Sequence, residues 1–241
     1  MKGVVLAAGK GTRFKSDSAK VLQEINGKSL IERVVDLATS AGIKEKVVVV
    51  GYQGEEVIKC LEKKKDLTFV WQYLQLGTGH AVMSAREEIK AADDVLILYG
   101  DVPATQKETI LQLIKEHQVK KNVLTVLTAE LEDPKWYGRI LRDKNKKIGG
   151  IREAQDCSPK ELEIREINSG IMIIQGKFLL RALGKLKPHN RQKEYYLTDI
   201  VETAVAEGKK VGAVRIYDEN EIKGVNSLEE LQEMTRILQK R

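Results

Sequence analysis

The segment that decides the fold is Gly3-Val4-Val5-Leu6-Ala7-Ala8-Gly9-Lys10-Gly11-Thr12-Arg13. Its apolar residues predict a buried strand, which ends where two glycines flank Lys10. Glycine lets the main chain approach a ligand closely, and free backbone N–H groups together with lysine and arginine bind phosphate. Lys20 follows a few residues after Arg13. The segment therefore predicts a strand that runs into a phosphate-binding loop.

Two better-known glycine motifs are excluded. A Walker A loop requires Ser or Thr directly after Gly-Lys, and Gly11 stands there instead. The dinucleotide fingerprint requires a third Gly or Ala where this chain has Phe14, and Asp36, the acidic residue at the expected distance, falls in a predicted helix. An ordinary glycine turn after the first strand explains the segment about as well. The rest of the chain must decide between the two.

Composition narrows the class of protein. A chain of 241 residues, 42% hydrophobic and 32% charged, is typical of one soluble α/β domain or one domain with a small appendage. The net charge of +6 is spread over short lysine runs without interleaved aromatic residues. This pattern argues against binding of nucleic acid and favours binding of small anionic substrates. Two distant cysteines predict neither a disulfide nor a zinc site, and the absence of a signal-peptide or membrane-spanning pattern predicts a cytoplasmic protein without a membrane partner.

Predicted strands and helices alternate through the first half of the chain. The strands are expected at 46–50, 67–72, 95–99 and 122–129, and the helices at 28–41, 55–65, 78–91 and 106–118. This alternation predicts a doubly wound, mostly parallel sheet that binds ligands at the carboxyl ends of its strands.

The pattern changes after residue 130. Short strands are expected at 138–141, 147–152, 171–175 and 211–217, with helices at 196–207 and 228–238. We therefore expect an α/β half over 1–130, a small β-rich lobe over 131–226 that faces it, and a C-terminal helix over 227–241. No hexapeptide repeat follows residue 226.

Polar residues follow two further predicted strands. Gln72 precedes Gln75-Leu76-Gly77-Thr78-Gly79-His80, where two glycines favour close approach of a ligand, although Thr78 as a plain helix cap explains the segment equally well. Asp101 ends the segment Tyr99-Gly100-Asp101, where a lone carboxylate suits Mg²⁺, which also takes water and substrate oxygens. A turn-forming aspartate is the alternative. Asn226 can either cap the last helix or supply a second, neutral oxygen to that metal.

The second half offers groups for neutral polar ligands. Gly138, Glu153 and Asn168 supply a backbone, a carboxylate and an amide that suit the hydroxyl and amide groups of a sugar. Thr198 and Asp199 open a predicted helix, where stabilising its N-terminus is sufficient explanation.

Together these motifs resemble the sugar-1-phosphate nucleotidyltransferases, and among them most closely the bacterial N-acetylglucosamine-1-phosphate uridylyltransferases. The resemblance covers almost the whole chain, because five motifs occur in the family's order and spacing. They are Leu6 to Arg13, residues 75–80, Tyr99 to Asp101, Glu194-Tyr195-Tyr196-Leu197-Thr198-Asp199 and Gly224-Val225-Asn226.

The resemblance implies a Rossmann-like nucleotidyltransferase (GT-A-like) fold with a mixed, mostly parallel sheet flanked by helices and a small β-rich sugar-binding lobe. It implies Mg²⁺-dependent transfer of uridylyl from UTP to a sugar 1-phosphate during the synthesis of peptidoglycan precursors. The implied catalytic residues are Arg13 and Lys20, and the implied metal ligands are Asp101 and Asn226. Nucleotide binding would involve Leu6, Ala7, Ala8, Gly9, Gln72, Gly77, Thr78, Tyr99 and Gly100, and sugar binding would involve Gly138, Glu153 and Asn168.

Two departures from the family pattern stand out. Ala19 replaces the usual proline before the lysine, so the loop is expected to lose some pre-organisation. The left-handed β-helix that carries an acetyltransferase in bifunctional relatives is not found in these 241 residues. Another sugar phosphate, another nucleotide, or a catalytically inactive nucleotide sensor stays open as an alternative, and so does a homo-oligomer.

Overall fold

The computed structural model of the protein describes residues 1–11, 14 and 18–240. Within these residues the strands are β1 (Lys2–Ala7), β2 (Glu24–Ile25), β3 (Lys28–Ser29), β4 (Glu45–Val50), β5 (Leu67–Trp71), β6 (Asp94–Tyr99), β7 (Leu124–Glu130), β8 (Arg139–Arg142), β9 (Ile148–Arg152), β10 (Glu166–Gln175) and β11 (Val211–Ile216). The helices are α1 (Leu30–Ser40), α2 (Gly54–Cys60), α3 (Thr78–Ser84), α4 (Lys107–Lys120), α5 (Pro159–Leu162), α6 (Gly176–Leu183), α7 (Asp199–Ala206) and α8 (Leu228–Gln239).

One large sheet organises the molecule. Its strands run in the order β11-β7-β10-β6-β1-β4-β5, and the hairpin of β8 and β9 joins it through β10. The pairs of β1 with β4 and β6, of β4 with β5 and of β7 with β11 are parallel, whereas β10 is antiparallel to both β6 and β7. The prediction of a mixed, mostly parallel sheet is therefore confirmed.

Apolar residues cover both faces of the sheet, as a doubly wound fold requires. On one face α1 and α4 bury Val35 and Leu113 against the sheet. On the other face α3 and α7 bury Val82 and Ile200. Because the main strands are buried on both faces, β1 and β4 read as nearly continuous apolar runs, and this is what made them visible in the sequence.

The predicted helices differ from the structure by more than two residues at three of their ends. Helix α2 ends at Cys60 instead of residue 65, α3 ends at Ser84 instead of residue 91, and α7 begins at Asp199 instead of residue 196. Helix α6 was not predicted at all, because the apolar run that it shares with the preceding strand shows no clear change of period.

Strand β10 begins five residues earlier than expected, because Asn168-Ser169-Gly170 reads as a turn but lies inside the strand. The pairing of β10 with β7 shifts between Asn168 and Met172, and Gly170 has a φ of +85° there. A bulge of this kind lets a strand continue past a residue that regular pairing excludes.

The predicted halves of the chain interleave in the sheet. Strands β10 and β11 come from residues 131–226, the predicted β-rich lobe. Strand β10 nevertheless lies between β6 and β7, which belong to the predicted α/β half over 1–130. The division at residue 130 therefore does not separate two sheets. That the nucleotide binds to the first part and the sugar to the second stays a prediction. Among the described residues of 131–226, the hairpin of β8 and β9 lies off the main strand order and joins the sheet through β10.

Candidate active site

Lys20, Asp101 and Asn226 meet at the carboxyl end of β6. The Lys20 ammonium donates to Asp101 Oδ2 and, at 2.8 Å, to Asn226 Oδ1. The side chains of Lys20 and Asp101 are only 16% and 14% exposed. Residues separated by up to 206 positions in the sequence thus form one charged, partly buried cluster.

The backbone around Lys20 is held in two ways. Gly11 has a φ of +60°, and a Cβ there would lie 3.1 Å from Cβ and Cγ of Lys20, so the glycine loop packs on the lysine stem. The N–H of Ala19 donates to Gln53 Oε1 at 2.5 Å. A proline at this position has no N–H to donate. The expected loss of pre-organisation is therefore offset by a tether that only a non-proline residue can make.

The predicted nucleotide-binding residues surround one pocket at the carboxyl ends of β1, β5 and β6. Its lining includes Leu6, Ala7, Ala8, Gly9, Lys20, Gln72, Gly77, Thr78, Tyr99 and Asp101. Gly100 does not belong to the lining. Its N–H donates to the Leu6 carbonyl at 2.9 Å, and a Cβ there would lie 2.9 Å from Ile31 Cδ1. Gly100 thus supports the pocket through close packing. Arg13 lies outside the described residues.

Gly77 and Gly79 are required by the protein's own chain. Gly77 has a φ of +103°, and a Cβ there would lie 2.7 Å from the Tyr195 carbonyl oxygen. A Cβ on Gly79 would lie 2.8 Å from the same oxygen, which accepts the Gly79 N–H at 2.7 Å. The two glycines therefore dock the segment around Tyr195 against the start of α3. Gly79 is buried and does not line the pocket, so the expectation that both glycines admit a ligand is wrong at Gly79. Gly77 lines the pocket and also packs against Tyr195.

Two polar side chains of this pocket, Gln72 and Thr78, are held in place by hydrogen bonds to other protein groups. Gln72 is 4% exposed, and its amide nitrogen lies 3.1 Å from both the Gly77 carbonyl and His80 Nδ1. Gly77 is the N-cap residue of α3 and Thr78 is its first helical residue, so the helix-cap alternative for Thr78 is wrong. Its hydroxyl instead accepts the Leu197 N–H at 3.1 Å and also bonds Tyr99. Burial raises the pKa of the Tyr99 hydroxyl, so this group stays protonated.

A second pocket holds the three predicted sugar-binding residues. Gly138, Glu153 and Asn168 all line it. Thr198 donates to Glu153 Oε1 at 2.8 Å, yet burial raises the pKa of Glu153, with Asp199 and Asp156 adding to the rise. Burial likewise raises the pKa of Asp199 to about 6.

Asn168 also has a structural task, because its Oδ1 accepts the Gly170 N–H at 3.0 Å. That contact shapes the bulge of β10, where a Cβ on Gly170 would lie 2.6 Å from the Tyr99 ring. The ring of Tyr99 is therefore positioned by the bulge between the two pockets.

The two pockets are continuous. Thr78, Tyr99, Asp101 and Glu194 line both of them, so ligands in the two pockets would meet beside Asp101. The sequence reasoning missed Trp136 and Gln192 of the second pocket, and it assigned no role to Tyr137, Gly170 and Tyr196, which stand in the segments that it singled out. Trp136 and Tyr137 precede Gly138 directly, and an aromatic pair beside a predicted sugar contact was the signal available for them.

The donor set fits a hard divalent cation. A carboxylate oxygen of Asp101 and an amide oxygen of Asn226 converge on the single positive charge of Lys20, and Mg²⁺ prefers such oxygen ligands. Within the described ranges no group of three or more His, Cys, Asp or Glu side chains comes together. A metal at this site would therefore complete its coordination with substrate oxygens and water.

No helix in the described part of the chain is long and apolar enough to span a bilayer.

Comparison with known proteins gives a family and a set of relatives. The family described as MobA-like NTP transferase domain matches residues 3–161. A protein named "Bifunctional protein GlmU" from Alkaliphilus metalliredigens is 45% identical over 241 residues, which is 100% of this chain and 52% of that protein. A protein of the same name from Lactobacillus delbrueckii subsp. bulgaricus is 45% identical over 239 residues, covering 99% of this chain and 51% of the relative. The chain thus spans about half the length of the curated relatives it matches.

Solved structures share the fold. A UDP-glucose pyrophosphorylase complexed with UDP-glucose superposes with a TM-score of 0.80 at 21% identity, covering 99% of this chain and 98% of the other. A putative glucose-1-phosphate thymidylyltransferase from Bacillus anthracis, in complex with a sucrose, gives a TM-score of 0.82 at 21% identity, covering 100% and 96%. The predicted nucleotidyltransferase fold is confirmed by these neighbours.

Proposed function

Since this chain belongs to the family of MobA-like NTP transferase domains, we propose that it transfers the uridylyl group of UTP to N-acetylglucosamine 1-phosphate. The products are UDP-N-acetylglucosamine and pyrophosphate. Family membership confirms the predicted resemblance and the prediction of a nucleotidyltransferase. The choice of substrates is supported by the identity of about 45% to the GlmU proteins along the full length of this chain.

One observation carries the proposal: two pockets meet at the cluster of Lys20, Asp101 and Asn226. A transfer between two substrates requires both reacting groups to lie side by side, and their alignment supplies much of the rate acceleration. UTP would occupy the pocket of Gln72 and Gly9, and the sugar phosphate the pocket of Glu153. The α-phosphorus of UTP then lies at the junction.

The reaction needs no nucleophile from the protein. An oxygen of the sugar 1-phosphate forms a bond to the α-phosphorus while the bond from that phosphorus to the bridging oxygen of the β-phosphate breaks. The electron pair of the broken bond leaves with pyrophosphate. Catalysis of this kind consists of alignment and charge stabilisation. Lys20 would stabilise the charge that develops on the phosphate oxygens, and the predicted role of Arg13 is to hold the leaving pyrophosphate.

Asp101 and Asn226 would hold Mg²⁺. The ion, when bound, neutralises negative charge on phosphate oxygens. The Lys20 ammonium contacts both of these side chains. Its charge would therefore lie beside the phosphate oxygens that the ion would neutralise.

The test is release of pyrophosphate from UTP and Mg²⁺ with a panel of sugar 1-phosphates. We expect the highest kcat/KM with N-acetylglucosamine 1-phosphate, and lower values with glucose 1-phosphate and with other nucleoside triphosphates. A preference for another sugar or nucleotide would replace the proposed substrates while keeping the reaction. Tight UTP binding without release on any sugar would replace the enzyme with a nucleotide sensor.

A further inference from the structure

Trp136 is a large aromatic side chain that the proposed reaction leaves without a role. Its side chain is 73% exposed and lies at the mouth of the sugar pocket, where Glu153 and Gln192 also line the wall. Two other strongly exposed aromatic residues, Tyr73 and Tyr217, are absent from the lining of this pocket. Trp136 is therefore in position to contact a ligand in this pocket.

The backbone on both sides of Trp136 is held by a buried charge. Arg139 is 3% exposed, and its guanidinium donates to the carbonyl oxygen of Tyr137 and, at 3.3 Å, to that of Lys135. Burial of a guanidinium is costly unless its donors are paired. The Nε–H of Arg139 is buried without a partner, whereas its two terminal nitrogens are paired and fix the residues that flank the indole.

The same turn contains a strained residue. Lys135 has a φ of +43°, which a non-glycine residue adopts at a cost of about 1 kcal/mol or more. Its N–H donates to Asp133 Oδ1 at 3.3 Å, and the Tyr137 N–H donates to the Pro134 carbonyl at 3.0 Å. These hydrogen bonds hold the turn in one conformation, even though the indole of Trp136 is largely exposed.

We propose that the indole of Trp136 is the apolar platform of the sugar subsite. It packs against the C–H face of the bound N-acetylglucosamine ring, while Glu153 and Asn168 bond its polar groups. A pyranose ring presents C–H groups on its faces and hydroxyl groups around its rim, so a flat, electron-rich ring complements the face. The inference rests on the proposed function, because it assigns the sugar of that reaction to this pocket.

The proposal makes a kinetic prediction. Stacking on a ring that does not react stabilises ground state and transition state alike, so it lowers KM and leaves kcat unchanged. In Trp136→Ala we expect the KM for N-acetylglucosamine 1-phosphate to rise about tenfold, as loss of one stacking contact would give. The KM for UTP and kcat should stay within about twofold, and Trp136→Phe should recover most of the affinity.

Tyr217→Ala is the matched control, since Tyr217 is 90% exposed and lies outside the sugar pocket. It should leave both KM values unchanged. An unchanged sugar KM in Trp136→Ala, measured on an active wild-type enzyme, would overturn the platform and leave the proposed reaction standing. Absence of pyrophosphate release in the wild type would instead overturn the reaction.

A second measurement needs no turnover. The chain has two tryptophans, so Trp71→Phe leaves Trp136 as the single indole emitter. UDP-N-acetylglucosamine with Mg²⁺ should reduce acrylamide quenching of this emission at least about twofold, because a stacked sugar excludes the quencher. UDP alone, which lacks the sugar, should leave the quenching unchanged. Equal quenching with both ligands at saturation would contradict the platform.

Discussion

The ammonium of Lys20 lies 2.8 Å from Oδ1 of Asn226 and also bonds the carboxylate of Asp101. A single positive charge thus sits between the two side chains proposed to hold the metal. In this arrangement the carboxylate stays paired inside the protein, and its partner is the residue proposed to act on the phosphates. Activity and metal binding should both respond to a change at Lys20.

Lys20→Ala should lower kcat at least about a hundredfold, the usual effect of losing one pre-organised charge contact. Circular dichroism should show an unchanged fold, because Lys20 lies in a short 3₁₀ turn at the edge of the pocket. Lys64→Ala is the control, since Lys64 forms a comparable ion pair of 2.8 Å with Asp36 away from the pocket. Turnover near the wild-type rate in Lys20→Ala would remove Lys20 from the mechanism.

The same substitution should strengthen metal binding in the absence of nucleotide. Removal of the ammonium frees the Asp101 carboxylate, because the ammonium and a metal cation compete for the same negative charge at contact distance. We expect Mn²⁺, followed by electron paramagnetic resonance, to bind Lys20→Ala about tenfold more tightly than the wild type. Asp101→Asn should abolish this gain in the double variant. Equal Mn²⁺ affinity of Lys20→Ala and wild type would show that lysine and metal do not share these ligands.

Gly77→Ala should destabilise the protein and weaken UTP binding together. Its φ of +103° strains any side chain, and the new Cβ would lie 2.7 Å from the Tyr195 carbonyl, which is a backbone atom. We expect the free energy of unfolding, measured by urea titration, to fall by about 2–3 kcal/mol. Gly42→Ala separates strain from clash, because Gly42 has a φ of +85° with open space around it. If Gly77→Ala and Gly42→Ala lower the free energy of unfolding by the same amount, the clash with the Tyr195 carbonyl makes no contribution.

His117 should make the protein sensitive to mild acid. It is 2% exposed, its Nδ1 lies 2.9 Å from the Thr125 hydroxyl, and burial lowers its pKa despite Asp94 nearby. The unfolded chain takes up a proton near pH 6.5 that the folded chain resists. The stability that the neutral imidazole contributes is therefore present above about pH 6.5 and is lost as the pH falls below it.

Urea midpoints at pH 8 and pH 5.5 measure this effect. The drop between the two values should be smaller in His117→Gln than in the wild type. His189→Gln serves as the control, because His189 is exposed. An identical drop in all three proteins would mean that His117 does not titrate differently in the two states.

The strands that carry the site could be read from the sequence because each has its own local signal. Val47 to Val50 and Val95 to Leu98 are apolar runs buried on both faces, and the polar residues that follow them mark the strand ends. That Asp101 and Lys20 face one point could be inferred in outline, since the carboxyl ends of parallel strands share one edge.

Contacts between distant segments could not be read in this way. Whether Gly77 admits a ligand or the protein's own backbone depends on Tyr195, which is 118 residues away by difference of residue numbers. The tether from Ala19 to Gln53 and the support of Trp136 by Arg139 also depend on three-dimensional position. Sequence periodicity reports the burial of one element, and it carries no information about which element covers it.

The position of β10 has a consequence for how the chain folds. Because β10 pairs with both β6 and β7, these two strands cannot be joined into one sheet until residues 166–175 have left the ribosome. Until then, β6 has one unpaired edge and β7 has no strand partner at all, because its other neighbour, β11, comes later still in the chain. Unpaired strand edges favour aggregation. We expect refolding of residues 1–241 to be limited by insertion of this strand, since it requires long-range pairing in the middle of the sheet.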